Sequence, residues 1–357
     1  MKKSKKAGSG VTPDSTPASR VTMKDIAHAI GITKSAVSLA LRNHPRISPA
    51  RRKEIQTVAK QMGYQPNAAA TALAHFKQQS KSAPVQAAIA WINAWPNPKM
   101  LFSYREFELF WQGALKGAEK FGYRLEQFIV NKEMSLAHVE RILHARGMNG
   151  ILIPPHGEIP VDWNALHWER FSAVRLGRSL EGLLPFHSVT TDQAANGSLA
   201  FQRIRGKGYK RIGFVGGTTS RRVFVAGFLQ AQLDVPQSSR VPPLLFPAPD
   251  PPDTQERLVE WIEKFKPDAI FTDLLRVPQM LKAAGYRVPQ DIGLAGTSLL
   301  DIDVDAGIDQ RVEEVGRVAV LVLISLINDN DRGGPAIQRE ILVKGAWVDG
   351  SNLPSRV

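Results

Sequence analysis

Between residues 87 and 327, short apolar runs alternate with longer amphipathic ones, and few folds accommodate that order. The runs fall at 87–92, 125–130, 150–153, 173–176, 189–191, 212–215, 269–272 and 292–295. Helical patterns lie between or after them, at 110–121, 136–145, 194–207, 254–265 and 312–327. Such short, continuously apolar runs suit strands buried on both faces. Strands alternating with helices predict parallel sheets covered by helices, with sites at the carboxyl ends of the strands. About 265 residues are available for this pattern, enough for two α/β lobes.

Residues 21–63 follow a different rule. Thr22 reads as an N-cap, and Asp25 three residues on completes a capping-box variant with negative charge in the first turn. Ile26, Ala27 and Ile30 give that helix one apolar face, and Gly31 breaks it. Thr33 caps a second helix whose Val37 and Leu41 point inward. Ser48-Pro49 opens a third, lined by Ile55, Val58, Ala59 and Met62 and stopped by Gly63.

Charge marks the same boundary. The chain carries 46 basic and 33 acidic side chains, a net of +13. Residues 1–82 hold 15 of the basic and 3 of the acidic groups, so the remainder is close to neutral. A small basic module is the electrostatic footprint of a phosphate-backbone binder. Helix, glycine-containing turn, helix is also the arrangement that sets a second helix into the DNA major groove. Lys34, Ser35 and Ala36 occupy the first turn of that helix, away from Val37 and Leu41. A lysine reaches phosphate or guanine acceptors, a serine bonds base edges, and an alanine meets a thymine methyl. The same residues would suit the solvated face of a three-helix bundle; the charge asymmetry favours DNA.

Four strings in this region, Val21-Thr-Met-Lys-Asp-Ile-Ala27, Gly31-Ile-Thr33, Ala36-Val-Ser38 and Gly63-Tyr-Gln-Pro-Asn67, together resemble the LacI/GalR family of bacterial repressors. The resemblance implies that Lys34, Ser35 and Ala36 read bases and that Thr22, Thr33, Ser38 and Asn67 bond phosphates. It makes residues 67–74 a hinge helix that orders on DNA, with Leu73 as a minor-groove wedge. Composition alone would make that stretch an alanine-rich linker. Leu39 and Ala68 depart from the polar residues usual in the family, and Arg42, Arg46 or Arg51 are candidates to compensate on the DNA backbone.

Further strings extend the resemblance to about residue 351, among them Leu176-Gly-Arg178, Val189-Thr-Thr-Asp192, Gly208-Tyr-Lys-Arg-Ile-Gly-Phe-Val-Gly-Gly217 and Arg222-Val-Phe-Val-Ala-Gly-Phe228. The implied fold class is an all-α helix-turn-helix DNA-binding domain plus an α/β two-lobed, periplasmic-binding-protein-like (type I) effector domain. The implied boundaries are a disordered basic arm at 1–20, the helix-turn-helix domain at 21–66, hinge helix and linker at 67–83, and the effector and dimerisation domain at 84–351. Arg222 and Asp273 match cleft residues that contact a small molecule, often a sugar or purine, and Arg178 and Asp192 fall within matched strings as further effector-site candidates.

The expected pocket is atypical. Asp273 comes early, the helix after it is short, and Gly296-Thr-Ser-Leu replaces the family's Gly-Phe-Asp-Asp. The segment after the first strand is unusually aromatic, which adds Trp95, Asn97 and Tyr104 as loop candidates for a sugar face. Phe107, Phe110 and Trp111 read as core.

Catalysis finds no support. Gly213-Phe-Val-Gly-Gly217 lacks G-x-G-x-x-G and a P-loop lysine. Asp301, Asp303 and Asp305 begin like a calcium loop, but Ala306 and Val312 replace its glycine and glutamate. No enzyme, cofactor or metal is expected. The expected partners are double-stranded operator DNA, a small-molecule effector and a second copy of the chain in a homodimer. The alternative is a solute-binding protein with only non-specific DNA affinity. No run approaches the roughly 18 apolar residues of a membrane span, and the lysine-rich start has no apolar core of a secretory signal. With no cysteine, the chain suits a reducing compartment, so a cytoplasmic location and no membrane contact are expected.

Overall fold

A computed structural model describes residues 21–41, 43–64, 87–156, 161–179, 184–218, 222–247 and 251–356. The arm at 1–20, Arg42, the hinge with Asn67 and Leu73, and the side chain of Arg222 lie outside the described residues. The chain divides into two compact units, Met1–Ser82 and Ala83–Val357.

The first unit contains α1 (Met23–Ile30), α2 (Lys34–Leu41) and α3 (Pro49–Gln61). Ile26 and Ala27 from α1, Val37 and Ala40 from α2, and Ile55 and Ala59 from α3 bury one apolar cluster. Leu41, expected inside, is half-buried against it, and Ala40 takes the central place. Gly31 sits at φ +71 and closes α1, a left-handed conformation that costs a side-chain-bearing residue energy.

The second unit holds two six-stranded sheets. The first lobe runs β1 (Ala87–Asn93), α4 (Arg105–Lys120), β2 (Tyr123–Ile129), α5 (Leu136–Ala145), β3 (Gly150–Ile153), β4 (Ser172–Leu176) and β5 (His187–Thr191). The second runs α6 (Gln193–Gly206), β6 (Ile212–Gly217), α7 (Arg222–Gln232), β7 (Leu244–Phe246), α8 (Thr254–Phe265), β8 (Ala269–Thr272), α9 (Val277–Ala283), β9 (Gly293–Gly296) and β10 (Gly307–Asp309). Then α10 (Val312–Asp329) and β11 (Glu340–Val343) return to the first lobe, and β12 (Ala346–Val348) ends on the second. The strand orders are β11-β5-β4-β3-β1-β2 and β12-β10-β9-β8-β6-β7. All pairings are parallel except β12 on β10.

Period-two alternation splits each sheet between two cores. Phe214 and Phe271 face α6 and α7, while their neighbours Val215 and Ile270 face α8 and α9. In the first lobe α4 and α10 cover one face and α5 with residues 161–171 the other. The helix expected at 110–121 starts at Arg105, where Glu106 and Glu108 place acidic charge in the first turn. Strands β7, β10, β11 and β12 were not among the expected runs; each has only three or four residues, too few to show a period. No helix among the described residues is long and apolar enough to cross a membrane.

Candidate functional site

On the helical unit, local hydrogen bonding sets which face is presented. The Thr22 hydroxyl donates to Asp25 Oδ2 at 2.7 Å, and the Thr22 amide donates to the same oxygen at 2.7 Å. Those two bonds hold the Asp25 carboxyl below its ordinary range, the backbone bond first. Thr33 Oγ1 accepts from the Ala36 amide at 3.2 Å and caps α2, leaving its own proton to donate outward. Both threonines are therefore helix caps before they are anything else. With Val37 and Ala40 buried, Lys34 and Ser35 are exposed and Ser38 is half-buried one turn on, so the three share a polar face. Ala36 is half-buried beside them and Arg46 is exposed in the following turn.

The far end of α2 is tied down by α3. Arg52 donates to the Asn43 carbonyl at 2.9 Å, and Gln56 donates to the Ala40 carbonyl and to Asn43 Oδ1. These residues fix the pitch of α2 against α3 and were not singled out from the sequence. Their signal is the i, i+4 spacing on α3 opposite a left-handed Asn43.

At the carboxyl ends of the first sheet, the aromatic segment after β1 folds over the strand ends. Trp95 Nε1 donates to the Pro155 carbonyl at 2.9 Å, and its ring lies 6.4 Å from Tyr104 and 6.3 Å from Phe107. Tyr104 is 36% exposed, and Asn97 caps the turn at Pro98–Ser103 by accepting from the Lys99 amide. As expected, Phe110 is core and Phe107 and Trp111 pack against it.

His156, which the sequence reading missed, joins three strand ends. Only 4% exposed, it accepts from the Ala94 amide through Nε2 at 3.0 Å, and its own amide donates to Ser179 Oγ at 2.8 Å. Its signal was position alone, a histidine three residues after the third apolar run. Burial pushes the imidazole down to about 4 from 6.5. His187 shifts the same way through burial and then Arg339, against a smaller opposing pull from Asp331. The folded state therefore binds fewer protons than the unfolded chain, and stability falls as pH drops through the window from 6.5 toward 4. For His156 the loss is about 2 kcal/mol by pH 5. Urea midpoints of wild type and His156→Gln, measured from pH 7 to pH 5, should converge on acidification. A constant gap would remove His156 as a titrating group.

On the second sheet, Asp273 directly follows β8, is 7% exposed and accepts from the Gly217 amide at 2.9 Å. Between the sheets Thr191 donates to Gln310 Oε1 at 2.9 Å, and Gln310 Nε2 donates to the Thr297 carbonyl at 2.9 Å. All three are buried, so a polar chain of hydrogen bonds runs through the lobe crossovers. The lobes also meet at α4, whose Arg105 amide donates to Asp301 Oδ1 at 3.0 Å while Leu300 packs on the first-lobe core.

The geometry thus sets Trp95, with Tyr104 against its ring, on Pro155 next to His156, and Asp273 beside the end of β6. Arg222 begins α7, which follows β6. Two other candidates are engaged elsewhere. Arg178 pairs with Glu340 of β11 at 2.6 Å, and Asp192 caps α6 by accepting from the Ala195 amide at 3.1 Å.

A capped helix-turn-helix ahead of two parallel α/β lobes defines a class, the DNA-binding regulator built on a periplasmic-binding-protein-like domain. Comparison with known proteins agrees. Residues 22–67 match the bacterial regulatory proteins of the lacI family, and residues 201–351 match a periplasmic binding protein-like domain. The HTH-type transcriptional regulator MalR of Streptococcus pneumoniae is 22% identical over 332 residues, covering 90% of this chain and 97% of that protein. Two solved structures share the fold. The regulator CelR in complex with cellobiose has a TM-score of 0.56 at 18% identity, covering 93% of this chain and 100% of that one. The lac repressor dimer bound to operator and the anti-inducer ONPF has a TM-score of 0.52 at 16% identity, covering 94% and 100%. Residues 22–67 thus carry the helix-turn-helix of the lacI family, and the protein has the organisation of a helix-turn-helix transcriptional regulator.

Proposed function

We propose that the protein is a cytoplasmic, homodimeric, non-enzymatic repressor whose operator affinity is set by a sugar or related metabolite bound between the lobes. The observation that carries the DNA half is the outward face of Lys34, Ser35 and Ser38 on a helix whose opposite side is buried. In a dimer two such helices read half-sites in successive major grooves, and paired hinges place Leu73 at the centre. Arg42, Arg46 and Asn67 contact the backbone in this reading. Residues 1–20 serve as a basic arm, 21–66 as the DNA-binding domain, 67–83 as hinge and linker, and 84–351 as the effector domain.

The CelR complex with cellobiose and the operator-bound lac repressor dimer support the ligand and dimer parts by fold likeness. Trp95 and Tyr104 offer aromatic faces to a sugar, and Asp273 with Arg222 offers directed acceptors and donors. Asn97, Arg178 and Asp192 keep their capping and pairing roles and support the site from its edge. A ligand shifts DNA affinity only by its differential binding to two lobe arrangements, typically about 1–3 kcal/mol.

Selection of DNA sites from a random pool, with and without candidate sugars and nucleobases, tests the reading. A two-fold symmetric site whose recovery a ligand changes is the expected result; asymmetric or absent enrichment removes it. Arg222→Ala should bind the selected site normally and lose the ligand response, whereas a normal response places the ligand elsewhere. Leu73→Ala should reduce DNA bending and weaken binding by about tenfold.

A further inference from the structure

Helices α1, α2, α3, α5 and α6 are each capped from within. Thr22, Thr33, Ser48, Ser135 and Asp192 accept from the amide three residues on. Helix α4 draws on the other lobe. Tyr104 stands at its N-cap and makes no side-chain cap bond. The first amide of the helix, that of Arg105, donates instead to Asp301 Oδ1 at 3.0 Å, across 196 positions of the chain. That carboxylate meets the positive end of the α4 dipole, where anionic oxygen is favoured. Next to Asp301 in sequence, Leu300 packs on the first-lobe core, in the cluster that includes Leu101 and Phe110.

The segment that carries both residues is anchored on the second lobe. Residues 297–306 join β9 to β10 there. Asp305 Oδ2 accepts from the Ser351 amide at 2.7 Å and from its hydroxyl at 2.6 Å, and Oδ1 accepts from the Asn352 amide at 2.8 Å. Ile302 is 3% exposed, and a Cβ on Gly296 would lie 3.3 Å from it and 2.8 Å from Val304, so both side chains cover the end of β9. Ser298 Oγ turns the tip by accepting from the Leu300 amide at 3.3 Å. Leu300 and Asp301 are left as the part that reaches across, each half-buried. Asp301 and Asp305, four residues apart, thus tie one short loop to both lobes.

We propose that Leu300 and Asp301 form an interlobe latch that sets the balance between two lobe arrangements, with Asp301 a positioning residue and not a ligand contact. This rests on the reading that operator affinity follows the lobe arrangement, and it names a contact that decides the arrangement. The strength of the contact suits a switch. One charge-assisted hydrogen bond and one half-buried leucine bias an equilibrium without locking it. The covalent crossings beyond β5, β10 and β11 persist in either arrangement, whereas the bond from Arg105 to Asp301 exists only while the lobes are close. Tyr104 joins the latch to the cleft. Its ring lies 6.4 Å from Trp95 and 5.3 Å from Phe107, and its own peptide unit supplies the Arg105 amide. A ligand ring stacked on Tyr104 therefore acts on the group that Asp301 holds. Occupancy of the cleft and engagement of the latch are coupled, and by linkage each changes the other by the same factor.

The chain has no cysteine, so nitroxide labels on Arg141→Cys of α5 and Glu260→Cys of α8, both exposed, report the separation of the lobes. Mixing with excess unlabelled full-length protein keeps the measured pairs within one chain of a dimer. Double electron–electron resonance should show Asp301→Ala raising the ratio of separated to joined lobes about tenfold, the effect of losing one helix cap. Leu300→Ala should shift the distances the same way, and it answers alone if Asp301→Ala loses its helical circular dichroism. Asp303→Ala, exposed on the same loop, is the control and should leave the distances as in wild type. Unchanged distances in whichever latch variant folds overturn the proposal. An equal shift in Asp303→Ala also overturns it, because the cause would then be loop charge. Neither ligand nor DNA enters the measurement. A failed operator selection would leave the latch standing, and unmoved distances would leave the operator reading standing.

Discussion

Replacing Gly113 by valine should destabilise the large unit by about 3 kcal/mol or more, among the largest effects of any single change in the chain. Gly113 faces α10 where α4 crosses it, and an added Cβ would sit 1.8 Å from the Glu313 carbonyl oxygen. The contact is reciprocal, since a Cβ on Gly316 would lie 2.1 Å from the Phe110 carbonyl oxygen. Both obstacles are helical backbone, which cannot swing aside like a flexible side chain. Relief requires moving one helix by more than an ångström, which opens the core of Ala114, Val315, Ala319 and Val320. Valine's better helix propensity returns only a few tenths of a kcal/mol, so the clash decides the sign. The second lobe repeats the device. A Cβ on Gly227 of α7 would lie 1.8 Å from the Ala194 carbonyl oxygen, and one on Gly197 of α6 2.1 Å from that of Phe224. Gly227→Val should therefore behave like Gly113→Val. Gly206 is the control, because a Cβ there meets nothing within 4 Å. Gly206→Ala at the end of α6 should be neutral or raise stability by up to about 1 kcal/mol. Urea midpoints of the three variants decide it; a midpoint for Gly113→Val equal to wild type would mean the helices cross farther apart.

These crossings show where local sequence stops being informative. The inner strands were legible because each is a continuous apolar run, and 150–153 and 269–272 match their runs residue for residue. The caps at Thr22 and Ser48 were legible because each is bonded within three residues of itself. The strands that join the lobes were not. β10 and β12 hold three residues each, and their pairing is settled by partners dozens of positions away. The same limit applies to the sites. Lys34 and Ser35 could be placed outward from the spacing of Val37 and Leu41 on one helix. Nothing near Arg178 in sequence announces Glu340, 162 residues on, and nothing near Thr191 announces Gln310. His156 carried only a positional hint, and its neutral state follows from burial that no local pattern displays. Arg52 and Gln56 resembled surface polar residues until Asn43 turned the end of α2 toward them.

Lys34→Glu should lower affinity for the selected operator at least 100-fold at low salt while leaving the DNA-binding unit folded. The two halves of that expectation have separate causes. Lys34 is the first residue of α2, capped by Thr33, and the helix has no acidic residue in its first turn. Glutamate there complements the positive end of the helix dipole, so the substitution favours the helix by roughly 0.3–1 kcal/mol. The side chain is exposed and takes no part in the cluster of Ile26, Val37 and Ile55, so the core is untouched. Against DNA the change replaces an attractive charge by a repulsive one in the turn proposed to face the groove. Loss of a lysine contact to a guanine or phosphate costs about 1–3 kcal/mol, and repulsion of the new carboxylate adds to it. The slope of log affinity against log salt should fall by about one if Lys34 neutralises one phosphate. Fluorescence anisotropy across a salt series measures affinity and slope together, and thermal unfolding of the same sample reports the fold. Weaker binding with an unchanged slope and altered site preference would assign Lys34 to a base edge. Unchanged affinity, slope and preference would show that α2 does not face the DNA, and would leave the basic charge of the unit to act through α3 and its flanking turns.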